Sequence, residues 1–128
     1  GDSRIGNVLF EDFQVKSLLD WEMATIGDPL CDLAWGLTTD DVSSHGLNIE
    51  KLSGSISNQE AIEFWENNTG YSADNFFYYR ILCLFKFSVI MIRVAKKLIH
   101  NEIMPLDSDF HVNNHVSNYL RQEFNEKN

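Results

Sequence analysis

Three residues near the start of the chain, Asp2, Asn7 and Asp20, have the types and spacing for phosphate chemistry. Moving a phosphoryl group onto a hydroxyl needs one carboxylate beside that hydroxyl and two oxygen ligands that hold Mg²⁺ against the nucleotide phosphates. Asp2 is the candidate base, and Asn7 with Asp20 are the candidate metal ligands.

The elements that must position them are legible as short-range pattern. Gly6 to Phe10 and Val15 to Leu19 are apolar segments separated by Glu11-Asp12-Phe13-Gln14. The pattern predicts a small β-hairpin that delivers Asn7 and Asp20 to the same end. Asp28 then reads as a helix cap with Pro29 at the first helical position, followed by Leu30, Leu33, Ala34 and Leu37 on one face. Thr38 to Ser57 is polar, carries Gly46 and Gly54, and reads as loop with a short helix around Ile49 to Leu52.

A further helix is expected over Asn58 to Asn68, capped by Ser57 or Asn58 with Glu60 nearby and stopped at Gly70. The longest helix should run from Ala73 or Asp74 to about His100. Its inward stripe would be Phe77, Ile81, Leu84, Phe85, Ser88, Ile92 and Ala95, with Arg80, Lys86, Arg93, Lys96 and Lys97 at the edges. After Pro105, Asp107 or Ser108 would cap a last helix to about Glu123, with Val112, Val116, Tyr119 and Leu120 as its apolar face.

Four blocks arrive in a recognisable order: Gly1-Asp2, Asn7-Val8-Leu9-Phe10, Leu19-Asp20-Trp21-Glu22-Met23-Ala24, and Gly27-Asp28-Pro29-Leu30-Cys31-Asp32-Leu33-Ala34-Trp35. Over these first 35 or so residues the chain resembles the aminoglycoside phosphotransferase and choline kinase family. The resemblance implies an α+β, mostly α fold, the C-terminal lobe of a protein-kinase-like domain with a small β-hairpin at its start, as a single partial domain over residues 1–128. It also implies an ATP- and Mg²⁺-dependent small-molecule kinase, with Asp2 accepting the proton of an acceptor hydroxyl while Asn7 and Asp20 hold Mg²⁺ on the nucleotide.

In that family the base belongs to a His-Gly-Asp motif, and Gly1-Asp2 match its last two residues. The expectation is therefore a segment that starts inside a catalytic loop. The N-terminal lobe, with its nucleotide-covering strands and phosphate-binding Lys, belongs to the intact protein, and the segment alone is expected to be inactive. The Asp20 to Trp35 run is most similar to the branch whose domains accompany acyl-CoA dehydrogenases, which implies a hydroxyacyl-CoA as acceptor. The rival reading is a non-catalytic kinase-like scaffold or interaction domain, against which stands the intactness of Asp2, Asn7 and Asp20. An Asp-based metal-dependent hydrolase would need an Asp-x-Asp near the start, and the chain has none there.

Composition bounds the partners. A net charge of −9 argues against nucleic acid and anionic membranes, which call for basic surface. It is compatible with ATP because Mg²⁺ brings the local positive charge. An apolar share of 44% suffices for a core. Cys31 and Cys83 lack metal or redox spacing and read as buried thiols of a cytoplasmic protein. The opening residues do not form a signal peptide. The run from Ile81 to Ile92 is interrupted by Lys86 and falls short of the roughly twenty uncharged residues of a spanning helix, so it reads as a core helix.

Neighbouring residues receive plainer roles. Glu22 should point away from the metal by strand alternation. Asp28 and Asp32 resemble the family's structural acids, and Asp32 is expected to buttress the catalytic loop from an apolar setting. Arg4 reads as an ion-pair partner, although it lies where phosphate or acceptor would pass. His111 and His115, four apart, read as a solvated helix face and not as a metal site.

Overall fold

The computed structural model describes residues 1–126; the last two residues of the expected partial domain lie outside the described residues. The chain opens with a single turn at Ile5–Asn7, followed by β1 (Val8–Glu11) and β2 (Gln14–Leu18), an antiparallel pair. A second turn, Trp21–Met23, leads into α1 (Leu30–Ser44), then α2 (Asn58–Thr69), α3 (Phe76–His100) and α4 (His115–Asn125). The fold is thus mostly helical with one small hairpin at its start, as the sequence implies.

The hairpin pairs Val8 with Leu18 and Leu9 with Ser17, and its register shifts between Leu9 and Phe10. Asp12 and Phe13 form the turn with φ of 51° and 59°, the left-handed pair whose twist matches that of the strands. Asp tolerates this conformation; Phe does so at a cost. The bulk of the hairpin is solvent-facing, with Phe13 101% exposed.

α1 starts where expected. Asp28 Oδ1 accepts the Leu30 N–H at 2.9 Å, and Pro29 already has a helical φ of −63°. It does not stop at Thr38. The helix continues to Ser44, and Thr38, Asp41, Val42 and Ser44 are buried, so the expected loop over Thr38 to Ser44 is corrected to helix. Ile49 to Leu52 is not helical; the chain instead makes a turn at His45–Leu47, and Asn48 leaves it at φ 55°.

α2 has the predicted ends. Ser57 Oγ accepts the Glu60 N–H, Glu60 Oε2 accepts the Ser57 N–H at 2.7 Å, and Gly70 closes the helix at φ 74°. In α3 the buried positions are Arg80, Cys83, Leu84, Met91 and Ala95. Two expectations are corrected there: Phe85 is 59% exposed, and Arg80 is interior, not at the edge. α4 begins six or seven residues later than expected, because Asn114 and not Asp107 or Ser108 is the cap: its Oδ1 accepts the N–H groups of Val116 and Ser117, both at 3.1 Å. His111 therefore precedes the helix, and the two histidines do not share a helical face.

The core joins Val42 of α1, Leu84 and Met91 of α3, and Val116 and Tyr119 of α4. Cys31 and Cys83 are free, and burial pushes the Cys83 thiol up to about 12. Among the described residues no helix is long and apolar enough to cross a membrane.

An ion cluster crosses this core. Arg80 Nη1 donates to Asp41 Oδ2 at 2.6 Å, while its Nε and Nη2 donate to the two carboxylate oxygens of Glu123 at 2.9 and 2.8 Å. Nη2 also donates to the Tyr119 hydroxyl at 2.8 Å. Lys51 Nζ and Asn58 Nδ2 reach the same Asp41 carboxylate at 2.8 and 2.6 Å. Burial would raise the Asp41 pKa, but the bonds from Lys51, Arg80 and Asn58 outweigh it and hold the group below its ordinary value. Arg80 does the same for Glu123.

Because both acids are depressed in the fold, their pairing stabilises in full above the ordinary carboxylate range. That contribution is lost as pH falls through the folded values. Arg80→Met should cost about 3–5 kcal/mol, since it leaves Asp41 buried with a reduced set of partners. Urea denaturation from pH 7 to 3 is the check. The unsubstituted chain should lose stability on acidification, and the variant should start lower and show a flatter profile.

Candidate active site

Asp2, Asn7 and Asp20 line one cavity of about 420 Å³, together with Ser3, Arg4, Leu19, Trp21 and Asp32. Two local features gather them. The Leu19 N–H donates to the Asn7 carbonyl at 2.8 Å, so the open end of the hairpin holds the residues flanking the two strands side by side. Asp20 then takes a left-handed φ of 61°, which turns the chain into Trp21–Met23. Asp is among the few non-glycine residues that adopt this conformation readily.

The Asp2 carboxylate is surrounded by donors. Arg4 Nε and Asn7 Nδ2 both donate to Oδ2 at 2.9 Å, and Trp35 Nε1 donates to Oδ1 at 2.7 Å. Asn7 Nδ2 also reaches the Asp2 carbonyl at 2.9 Å. Partial burial is the largest influence and raises the Asp2 pKa, but the bonds from Arg4, Trp35 and Asn7 together bring it below the ordinary aspartate value. Oδ2 thus accepts two hydrogen bonds and Oδ1 one. A carboxylate oxygen has two lone-pair sites, so Oδ1 is the atom left with a place for an incoming hydroxyl.

The cation question turns on donor chemistry. Asn7 spends its NH₂ on Asp2, which leaves its amide oxygen as the free end, and Asp20 contributes a carboxylate to the same cavity. An amide oxygen with a carboxylate is a hard donor set that fits Mg²⁺ completed by phosphate oxygens and water, and does not fit softer metals. Among the described residues no three His, Cys, Asp or Glu gather into one group.

The loop sits on α1. Ser3 Oγ donates to the Asp32 backbone carbonyl at 2.6 Å. Asp32 does touch the loop, but its side chain is 54% exposed and not in the apolar setting expected of it. The deeply buried acid is Asp41 instead. Asp28 joins α1 to α3 by accepting the Tyr79 hydroxyl at 2.9 Å. Arg4 forms the expected ion pair with Asp2, and Glu22 is exposed outside the cavity lining. Trp21 packs at the rim, its indole donating to the Leu18 carbonyl at 2.7 Å. Trp35 carries no assigned role in the sequence reading. The signal for it was the i, i+3 spacing from Asp32, which puts both on the loop-facing side of α1.

Residues 1–63 match the profile of the phosphotransferase enzyme family. The chain is 33% identical over 101 residues to acyl-CoA dehydrogenase family member 11 of Pongo abelii, covering 70% of this chain and 13% of that protein. It is 46% identical over 37 residues to acyl-CoA dehydrogenase family member 10 of Mus musculus, covering 27% of this chain and 4% of that protein. The chain thus spans a small part of the length of either relative. These findings bear out the resemblance carried by the motifs, with the family match falling on residues 1–63.

The donors around Asp2 predict its titration. Carboxyl-carbon NMR should give Asp2 a midpoint below the ordinary aspartate value, so that it is ionised at neutral pH. Asn7→Ala should move that midpoint upward by removing one donor to the charged form. A midpoint at or above the ordinary range would contradict the hydrogen-bond arrangement.

Proposed function

We propose that this chain is the catalytic-loop and metal-binding lobe of an ATP- and Mg²⁺-dependent kinase that phosphorylates a hydroxyl on a small molecule. A nucleotide-covering lobe is expected to accompany it in the intact protein. The observation that carries the reading is the single cavity holding an ionised Asp2, with one oxygen left open, beside the hard oxygen donors of Asn7 and Asp20. The phosphotransferase lineage of residues 1–63 supports it.

Bound Mg²⁺-ATP supplies the electrophilic phosphoryl group and the cation that screens its charge. Asn7 and Asp20 would hold that cation. Asp2 Oδ1 would accept a hydrogen bond from the acceptor hydroxyl, orient its oxygen, and take the proton as the new phosphate ester bond forms and the bond from the γ-phosphorus to the departing ADP oxygen breaks. A carboxylate with a depressed pKa is a weak base, which suits a loose transition state in which the proton leaves late. Arg4 keeps Oδ2 occupied and so leaves the reaction to Oδ1. Likeness to proteins named as acyl-CoA dehydrogenase family members favours a hydroxyacyl-CoA as the acceptor class.

Steady-state kinetics on the intact protein separates the roles. Asp2→Asn should lower kcat by about 10²–10⁴-fold with little change in nucleotide affinity. Asp20→Asn should move the Mg²⁺ dependence and be partly relieved by more metal. Near-normal turnover of Asp2→Asn on the true acceptor would overturn the base assignment. Absence of transfer to any acceptor would favour a kinase-like scaffold. The chain alone should bind Mg²⁺-ATP weakly in calorimetry and transfer nothing.

A further inference from the structure

Arg4 and Asn7 lie two and five residues from Asp2, so the bonds they make hold the loop to itself and move with it. Trp35 is different. Its partner is 33 residues away, it sits within α1, and its ring packs against Phe87 of α3 with centroids 5.9 Å apart. Its indole N–H therefore refers the Asp2 carboxylate to the helical body. One residue further on, the loop comes closer still: a Cβ placed on Gly36 would lie 2.9 Å from the Ser3 carbonyl oxygen, a backbone atom with little room to give. Gly36 is the clearance that lets Ser3 settle onto the helix and bond to the Asp32 carbonyl.

We propose that Trp35 and Gly36 are positioning residues, the first fixing the rotation of the Asp2 carboxylate through Oδ1 and the second setting the height of its loop above α1. The role rests on the kinase reading for its consequence and on geometry alone for its existence. With Trp35 on one lone pair of Oδ1, the remaining lone pair has a fixed direction, and the acceptor hydroxyl must approach along it. A carboxylate held only by Arg4 and Asn7 would keep its charge but lose that direction. Misplacement of a reacting group on this scale slows reaction without loosening ground-state binding.

Two measurements test this. In proton–nitrogen NMR, the Trp35 indole signal should move upfield in Asp2→Ala, while that of Trp21, which donates to the Leu18 carbonyl, stays in place. An unchanged Trp35 signal overturns the contact and the proposal. In the intact protein, Trp35→Phe keeps a ring against Phe87 and deletes the donor. It should lower kcat by about ten- to a hundredfold, with both KM values within about twofold. Gly36→Ala should act in the same direction. Trp35→Phe added to Asp2→Ala should have no further effect on kcat, since the group it orients is gone. Unchanged kcat in Trp35→Phe, or an equal further loss in the Asp2→Ala background, overturns the positioning role. An unsubstituted protein that transfers no phosphate would bring down the kinase reading, while the indole signal would still decide whether Trp35 holds Asp2.

Discussion

The guanidinium of Arg80 is the constraint around which the helical body closes. It lies between Asp41 of α1 on one side and Glu123 and Tyr119 of α4 on the other, with Lys51 and the α2 residue Asn58 completing the shell around Asp41. Removing one partner of such a cluster leaves an uncompensated charge in a low-dielectric interior, which costs several kcal/mol. That penalty fixes how the helices meet more sharply than the apolar contacts do. Val42, Leu84, Met91 and Val116 pack well, but hydrophobic contact is non-directional and tolerates sliding. Five directed donors of a guanidinium do not.

The candidate site inherits its rigidity from this body. α1 is held at Asp41 by the ion cluster and near its start by the Asp28 to Tyr79 hydrogen bond, so the stretch between, with Asp32, Trp35 and Gly36, is fixed at both ends. The loop of Asp2, Ser3 and Arg4 lies on that stretch. The hairpin contributes differently. It is largely exposed and presents Asn7 and Asp20 from its open end, tied by the Leu19 to Asn7 bond. Two supports of unequal stiffness therefore meet in one cavity: a proton-accepting side anchored to the core, and a metal-binding side carried on a surface hairpin.

What the sequence disclosed and what it hid divide by range. The hairpin, the Asp28 cap, and α2 with its Ser57–Glu60 box and Gly70 stop are encoded within a few residues, and they are found where the pattern puts them. The second half of α1 is not. Thr38, Asp41 and Ser44 are polar and locally resemble a loop, and the partners that let Asp41 sit in a helical interior, Lys51, Asn58 and Arg80, lie 10, 17 and 39 positions away. α3 is apolar nearly all round, so periodicity alone cannot separate buried Leu84 from exposed Phe85. Asp107, Ser108 and Asn114 are all competent caps; packing of Val116 into the core selects the last. The same division runs through the site. Asp2, Asn7 and Asp20 are legible because their chemistry dictates their types and spacing, whereas Trp35 discloses its purpose only once the fold brings its indole to Asp2.

The central claim is that Asn7 and Asp20 hold the divalent cation on which a nucleotide is bound beside Asp2. Manganese relaxation in the presence of ATP tests it most directly, because a paramagnetic ion broadens nearby resonances even when binding is weak. Substoichiometric Mn²⁺ should broaden the Asn7 side-chain amide and the Asp20 backbone amide first, and Asp20→Asn should abolish that selectivity. Broadening that begins instead at carboxylates outside this cavity, or that is indifferent to Asp20→Asn, would contradict the account.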